Sequence, residues 1–181
     1  MVRRPGGRVA VVTGAGSGLG RAVAERLAAD GLRVVCAEAD EPAGRAVARS
    51  VGGLFVHTDP RDADMVEALY DEAYETCGGV DLAVHPVAPG PASRAALPYL
   101  RRHGHGVIVN LTADPADREL SAELARSYGR EGIRVYGLRP GAALEPAVAA
   151  VAFLAGPGSA FLAPTEFVAD DASGKIIAGP L

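Results

Sequence analysis

The run Arg8-Val-Ala-Val-Val-Thr-Gly-Ala-Gly-Ser-Gly-Leu-Gly20 decides the fold. Val9 to Val12 is a short, apolar, β-branched stretch that reads as a buried strand. It breaks at once into a turn carrying Gly14, Gly16, Gly18 and Gly20. That turn opens a helix over Leu19–Ala29, with Leu19, Val23, Ala24, Leu27 and Ala28 on one face. A tight strand-to-helix turn needs positive φ, and a pyrophosphate needs bare backbone N–H groups within reach. The helix then presents its positive end to the phosphates. Thr13, Gly14, Gly16, Ser17, Gly18, Leu19 and Gly20 are therefore the candidate cofactor contacts, and the flanking strand and helix make the glycine pattern specific.

Working outward, Arg33–Glu38 reads as a second buried strand ending in an acid. An acid about 20 residues after such a turn is where a dinucleotide fold holds the adenosine ribose hydroxyls. Glu38 would accept their hydrogen bonds and repel a 2′-phosphate, and no Arg or Lys stands at Ala15, Gly16 or Ser17 to attract one. If a dinucleotide binds, NAD is favoured over NADP; the plainer reading of Glu38 is a solvated carboxylate at a strand end.

The alternation continues. Residues 41–51 read as a helix, 53–59 as a strand, Asp62–Thr76 as a helix capped by Asp62 or Asp64, and Val80–Val84 as a strand. Beyond them come a modest helix over Pro91–Arg102, a turn at 102–106, a strand over Val107–Leu111, and a helix over Ala116–Gly129. Ile133–Leu138 is a sixth strand, Glu145–Leu154 a small helix and Thr165–Ala169 a last short strand. Strand and helix in alternation give right-handed βαβ units. The expected fold is one doubly wound α/β domain over residues 1–181, with a mostly parallel sheet centred on residues 8–13 and helices on both faces.

Composition bounds the partners. A formal net charge of −4 argues against nucleic acid or an anionic membrane as partner, and a small molecule is the expected one. No apolar run reaches the ~18 residues of a membrane span, and the basic start lacks an apolar export segment. With only Cys36 and Cys77 present, no disulfide is expected, and the reading is a cytoplasmic protein. His103 and His105 share a glycine-rich turn without a third ligand, so no metal site is expected.

The spacing Thr13-Gly14-x-x-x-Gly18-x-Gly20 resembles the nucleotide turn of the short-chain dehydrogenase/reductase family. The resemblance runs on. Asp59 stands where that family places an adenine-contacting aspartate, and Val107–Leu111 looks like the strand that ends near its catalytic serine. Gly132-Ile-Arg-Val-Tyr-Gly-Leu-Arg-Pro-Gly141 is similar to its Gly-Ile-Arg-Val-Asn-x-x-x-Pro-Gly segment, and Ser159–Asp170 resembles its C-terminal strand. The family's reaction uses a tyrosine with a lysine four residues later, a serine and an asparagine. Here Lys175 is the sole lysine, and no tyrosine has a lysine four residues on. Ala113 falls at the serine position, and only 22 positions separate Asn110 from Gly132, too few for the family's catalytic helix and its approach loop. His85-Pro-Val-Ala88 replaces the family's Asn-Asn-Ala-Gly, and Pro60 has no N–H to offer an adenine. The resemblance thus implies a dinucleotide fold without the usual hydride-transfer residues.

Ligands in such sheets bind beyond the carboxyl ends of the strands. Thr13, Glu38, Asp59, His85, Asn110, Thr112, Asp114, Tyr136 and Arg139 are expected there. Among them His85 is the candidate acid or base, the plainer reading being a histidine hydrogen-bonded at a strand end, and Tyr136 or Thr112 is the candidate donor to a substrate oxygen. Asp114 could share a proton, Asn110 belongs to the same cleft, and Arg139 could hold an anion. The leading expectation is a non-redox biosynthetic enzyme (a cyclase, isomerase or dehydratase); the alternatives are an NAD-dependent oxidoreductase and a non-catalytic regulatory partner. Leu120, Leu124, Ala125 and Tyr128 form a stripe on one helix face, from which a homodimer is expected.

Overall fold

The computed structural model describes residues 7–87, 89–162, 166–170 and 175–179. The chain runs β1 (Val9–Thr13), α1 (Gly18–Ala29), β2 (Arg33–Glu38), α2 (Glu41–Val51), β3 (Leu54–His57) and α3 (Ala63–Cys77). It continues through β4 (Leu82–His85), α4 (Pro89–Arg101), β5 (Gly106–Leu111), α5 (Pro115–Tyr128), β6 (Ile133–Arg139) and α6 (Leu144–Ala155). β7 (Glu166–Asp170) and β8 (Lys175–Gly179) close the sheet. The strand order is β3-β2-β1-β4-β5-β6-β7-β8, parallel throughout except for the antiparallel β7–β8 pair. The doubly wound sheet expected from the sequence is present, with β1 beside the reversal of order. β8 was not expected from the sequence; its Lys175–Gly179 stretch pairs antiparallel with β7.

Two apolar layers hold the sheet. Ala10 and Val12 face α1, α2 and α6, meeting Val23, Leu27, Val47, Val151 and Leu154. Val9 and Val11 face α3, α4 and α5, meeting Val66, Leu69, Leu97, Leu100 and Leu124. Helix starts follow from local chemistry: Asp40, Asp62 and Asp114 each accept backbone N–H bonds at the heads of α2, α3 and α5. α2 and α3 end on Gly52 and Gly78 in the left-handed region.

The α5 stripe is already occupied within the chain. Leu124 and Ala125 are buried, and Leu120 and Tyr128 pack against the same layer. Burial on its own sheet accounts for this face, so the stripe gives no independent motive for pairing two copies. No described helix is long and apolar enough to cross a membrane. Cys36 and Cys77 are buried free thiols.

Candidate functional site

The glycine turn has the geometry its sequence requires. Gly14 and Gly18 adopt φ of 63° and 52°, the left-handed region that side chains disfavour. Gly20 is needed for a different reason: a Cβ there would lie 2.0 Å from the Gly14 carbonyl oxygen. Ser17 precedes helix α1 at the cap position and makes no side-chain capping bond, and the first turn of the helix carries no acid. The helix itself thus supplies no counter-charge for its positive end. At the foot of the turn, Thr13 is 1% exposed and its Oγ1 has no hydrogen-bond partner. Such a buried orphan is uncommon and fits a site built for a polar ligand.

Glu38 closes the turn from the β2 side. One carboxylate oxygen accepts the Gly16 N–H at 2.8 Å, and the other accepts from Ala39 and Asp40 at 2.8 and 3.2 Å. A carboxylate has about four acceptor sites, so three bonds fix it and leave one open for a hydroxyl. The Cβ position of Gly16 lies 2.8 Å from this side chain, which ties the glycine to the acid. Asp59 accepts the Arg61 N–H at 2.9 Å and stays half-buried after β3. Val87 reaches over the turn, its Cγ2 3.4 Å from where a Gly14 Cβ would sit. These residues fit the adenosine and pyrophosphate end of a dinucleotide, while Val87 narrows the approach and Pro60 offers no N–H.

His85 and Asn110 are brought together, but inside the protein. They are register partners at the ends of β4 and β5, and both are 0% exposed. Their hydrogen bonds form one directional chain. Ser121 Oγ donates to the Asp117 carbonyl at 2.8 Å, so it must accept from Asn110 Nδ2 at 2.9 Å. The Asn110 carbonyl oxygen then faces Ser93 Oγ at 2.8 Å and His85 Nδ1 at 3.0 Å. Because that oxygen only accepts, His85 carries its proton on Nδ1, and Nε2 accepts from the Tyr70 hydroxyl at 2.7 Å. Burial pushes the His85 pKa down to about 4, against a smaller upward pull from Asn110. Burial likewise raises that of Tyr70. His85 is therefore a neutral, fully engaged core residue rather than the cleft acid or base the sequence suggested. The sequence did not point to Tyr70 and Ser93 as partners of His85, or to Ser93 and Ser121 as partners of Asn110; Tyr70 carried a signal, since a tyrosine on an apolar helix face needs somewhere for its hydroxyl.

The other candidates are scattered. Tyr136 lies on the opposite sheet face, 1% exposed, and donates to the Ser159 carbonyl at 2.9 Å. Parity explains the correction, for Val109, its register partner, also faces α6 whereas Asn110 faces α5. Thr112 Oγ1 donates to Asp117 at 3.1 Å and accepts the Asp114 N–H at 3.0 Å, while Asp114 caps α5. Both are spent on starting a helix. Arg139 ends β6 exposed to solvent. Among the described residues no group of three or more His, Cys, Asp or Glu could hold a metal ion.

Known proteins agree with this architecture. A family model described as short chain dehydrogenase matches residues 8–91. A short chain dehydrogenase/reductase of Aspergillus oryzae is 31% identical over 184 positions, covering 75% of this chain and 70% of that protein. The 3beta-hydroxysteroid dehydrogenase 1 of Eggerthella lenta is 31% identical over 188 positions, covering 77% and 72%. Crystal structures of a hydroxysteroid dehydrogenase from Escherichia coli (TM-score 0.83, 20% identity, 89% and 94% covered) and of a protein titled ribose-5-phosphate isomerase from Brucella melitensis (0.79, 24%, 88% and 91%) share the fold. The chain belongs to the short-chain dehydrogenase/reductase family, whose members bind NAD or NADP as a rule. The Aspergillus match needs 184 positions to align 75% of 181 residues, so that relative carries internal segments with no counterpart here.

Proposed function

We propose that this chain is a nucleotide-binding member of its family that holds the adenosine and pyrophosphate end of NAD and does not pass hydride. The observation that carries the reading is Glu38, fixed by three backbone N–H groups beside the uncapped start of α1. A fixed acid selects ribose hydroxyls and repels a 2′-phosphate, so NAD is preferred to NADP. Against hydride transfer stands the sequence itself: Lys175 is the only lysine, and no tyrosine precedes a lysine by four. The relatives' names, dehydrogenases and an oxidoreductase, favour the opposite, an active oxidoreductase. An acid–base enzyme of the cyclase, isomerase or dehydratase kind has less support, because His85 is sealed from any substrate.

One experiment separates these readings. Melting is followed with NAD, NADH, NADP and ADP, since a ligand that binds only the folded state raises the melting temperature. The expected result is a rise with NAD, NADH and ADP, a smaller one with NADP, and no NADH-dependent absorbance change with ketones or alcohols. Absence of any shift at millimolar NAD defeats the binding half. Turnover in that assay, abolished by Gly18→Val, defeats the non-redox half.

A further inference from the structure

A large cavity in the described protein lies away from the nucleotide turn. It opens at the amino ends of the strands, has a volume of about 1130 Å³, and includes residues just before β1, β2, β4 and β6. Its chemistry is lopsided. Arg8, Arg102, Arg134, His103 and His105 line it, against the carboxylates of Asp30 and Asp81. Asp30 is paired with Arg26 at 3.0 Å, and Asp81 accepts the Val9 N–H at 2.7 Å.

Arginines at this edge have an ordinary explanation, because helix carboxyl ends carry partial negative charge there. That explanation covers other residues better. Arg26 and Arg101, in the last turns of α1 and α4, are already balanced by Asp30 and Glu131. Arg102 and Arg134 form no ion pair with a described residue, yet both are held in place. The Arg102 guanidinium lies 4.9 Å over the Tyr74 ring and 5.2 Å over that of Tyr99. Arg134 donates to Ser159 Oγ and, at 3.5 Å, to the Gly156 carbonyl. His103 stacks on Tyr74 at 6.0 Å, with His105 a further 6.5 Å away. Gly132 locks the wall between them: a Cβ there would lie 2.4 Å from the Gly104 carbonyl oxygen. Burial disfavours the Arg8 charge, Asp81 supports it, and the neighbouring Arg134 charge opposes it. Three guanidinium groups and two imidazoles thus share this concave wall with two carboxylates, of which Asp30 is already paired with Arg26. Guanidinium groups held in place are suited to oxyanions, which they bind through paired N–H donors.

We propose that the amino-edge cavity is a second binding site, for a small anion bearing phosphate or carboxylate groups, held by Arg8, Arg102 and Arg134 with His103 and His105 at its rim. It lies across the sheet from the glycine turn, so it is independent of NAD binding. Its ligand is recognised through the oxyanion chemistry common to phosphate esters and polycarboxylates.

The test is calorimetric titration with two probes, pyrophosphate and citrate, in the presence of saturating NAD where NAD binds and in its absence where it does not. The variants are Arg102→Gln and His105→Ala, both at exposed positions where folding is not at stake, and Arg134→Gln. At least one probe should bind the wild type, weaken tenfold or more in Arg102→Gln and in Arg134→Gln, and weaken less in His105→Ala. A preference for pyrophosphate assigns the phosphate class, and a preference for citrate the carboxylate class. No binding of either probe at millimolar concentration overturns the proposal. So does binding that both arginine variants leave intact, or that Gly18→Val in the glycine turn alone removes.

Discussion

The first and second halves of the sheet end their strands in polar residues, but use them in opposite ways. At the ends of β1 and β2, Thr13 Oγ1 is unpartnered and Glu38 retains an open acceptor site beside the bare start of α1. At the ends of β4 and β5, His85 and Asn110 turn inward and use their ring and amide atoms on Tyr70, Ser93, Ser121 and each other. Equivalent positions in the fold therefore serve recognition in one half and core specification in the other. What separates them is not residue type but whether a neighbouring helix covers the strand end with its own hydrogen-bonding groups.

The strongest way to break the contrast is at the turn. Gly20→Ala puts a Cβ where the Gly14 carbonyl already is, and both are backbone-fixed. We expect α1 to be pushed off β1, NAD binding to fall below detection, and stability to drop by about 3 kcal/mol. Denaturant unfolding and NAD titration of this variant measure both; retained binding would show that the turn is not the site.

In the second half the expected loss is of stability alone. Asn110→Ala leaves His85 Nδ1–H, Ser93 Oγ and Ser121 Oγ short of a partner at 0–1% exposure. Stranded buried groups cost about 1–3 kcal/mol each, so roughly 3 kcal/mol is expected after partial rearrangement. For a chain of this size that is a fall of about 6–12 °C in melting temperature. NAD affinity should not change. A parallel loss of NAD affinity would mean the two halves are coupled and the contrast is false.

Acid sharpens the same point. The folded His85 pKa is about 4, below the ordinary 6.5 of the unfolded chain. Between those values the unfolded state binds more protons, so stability is full above pH 6.5 and declines as pH falls toward 4. The loss from pH 7 to pH 5 should be about 2 kcal/mol. Urea unfolding at the two pH values, repeated in His85→Gln, isolates this contribution; an unchanged slope in the variant would assign it elsewhere.

The same contrast explains what the sequence could reveal. The β1–turn–α1 unit was legible because glycine spacing, strand and helix all constrain one another, and Glu38 follows at the expected distance. The sidedness of His85 and Tyr136 was not. β4, β5 and the Val135–Leu138 part of β6 are buried on both faces, so they give no alternation of apolar and polar residues from which to read parity. Leu82 and Val84 face α1 and α6, while Ala83 faces the other layer with His85, yet nothing in Leu-Ala-Val-His distinguishes the two. Thr112 and Asp114 were placed correctly at a strand end, but a cap and a catalytic pair look alike before the helix is seen.

The smallest effect is the most discriminating. Glu38→Gln keeps an acceptor oxygen for one or two of the three backbone N–H groups at Gly16, Ala39 and Asp40 while removing the negative charge. Hydrogen bonds to a charged acceptor exceed those to a neutral one by about 1 kcal/mol, so NAD should weaken about fivefold. NADP should move the other way, by a similar factor, because its 2′-phosphate no longer meets a carboxylate fixed beside the turn. Glu38→Ala removes the backbone anchor as well and should weaken NAD by a further factor of a few. The ratio of NAD to NADP affinity, measured by titration in both variants, reads the charge separately from the anchor. If both cofactors weaken equally in Glu38→Gln, the acid serves only to hold the Gly16 turn, and cofactor preference must be set by other residues.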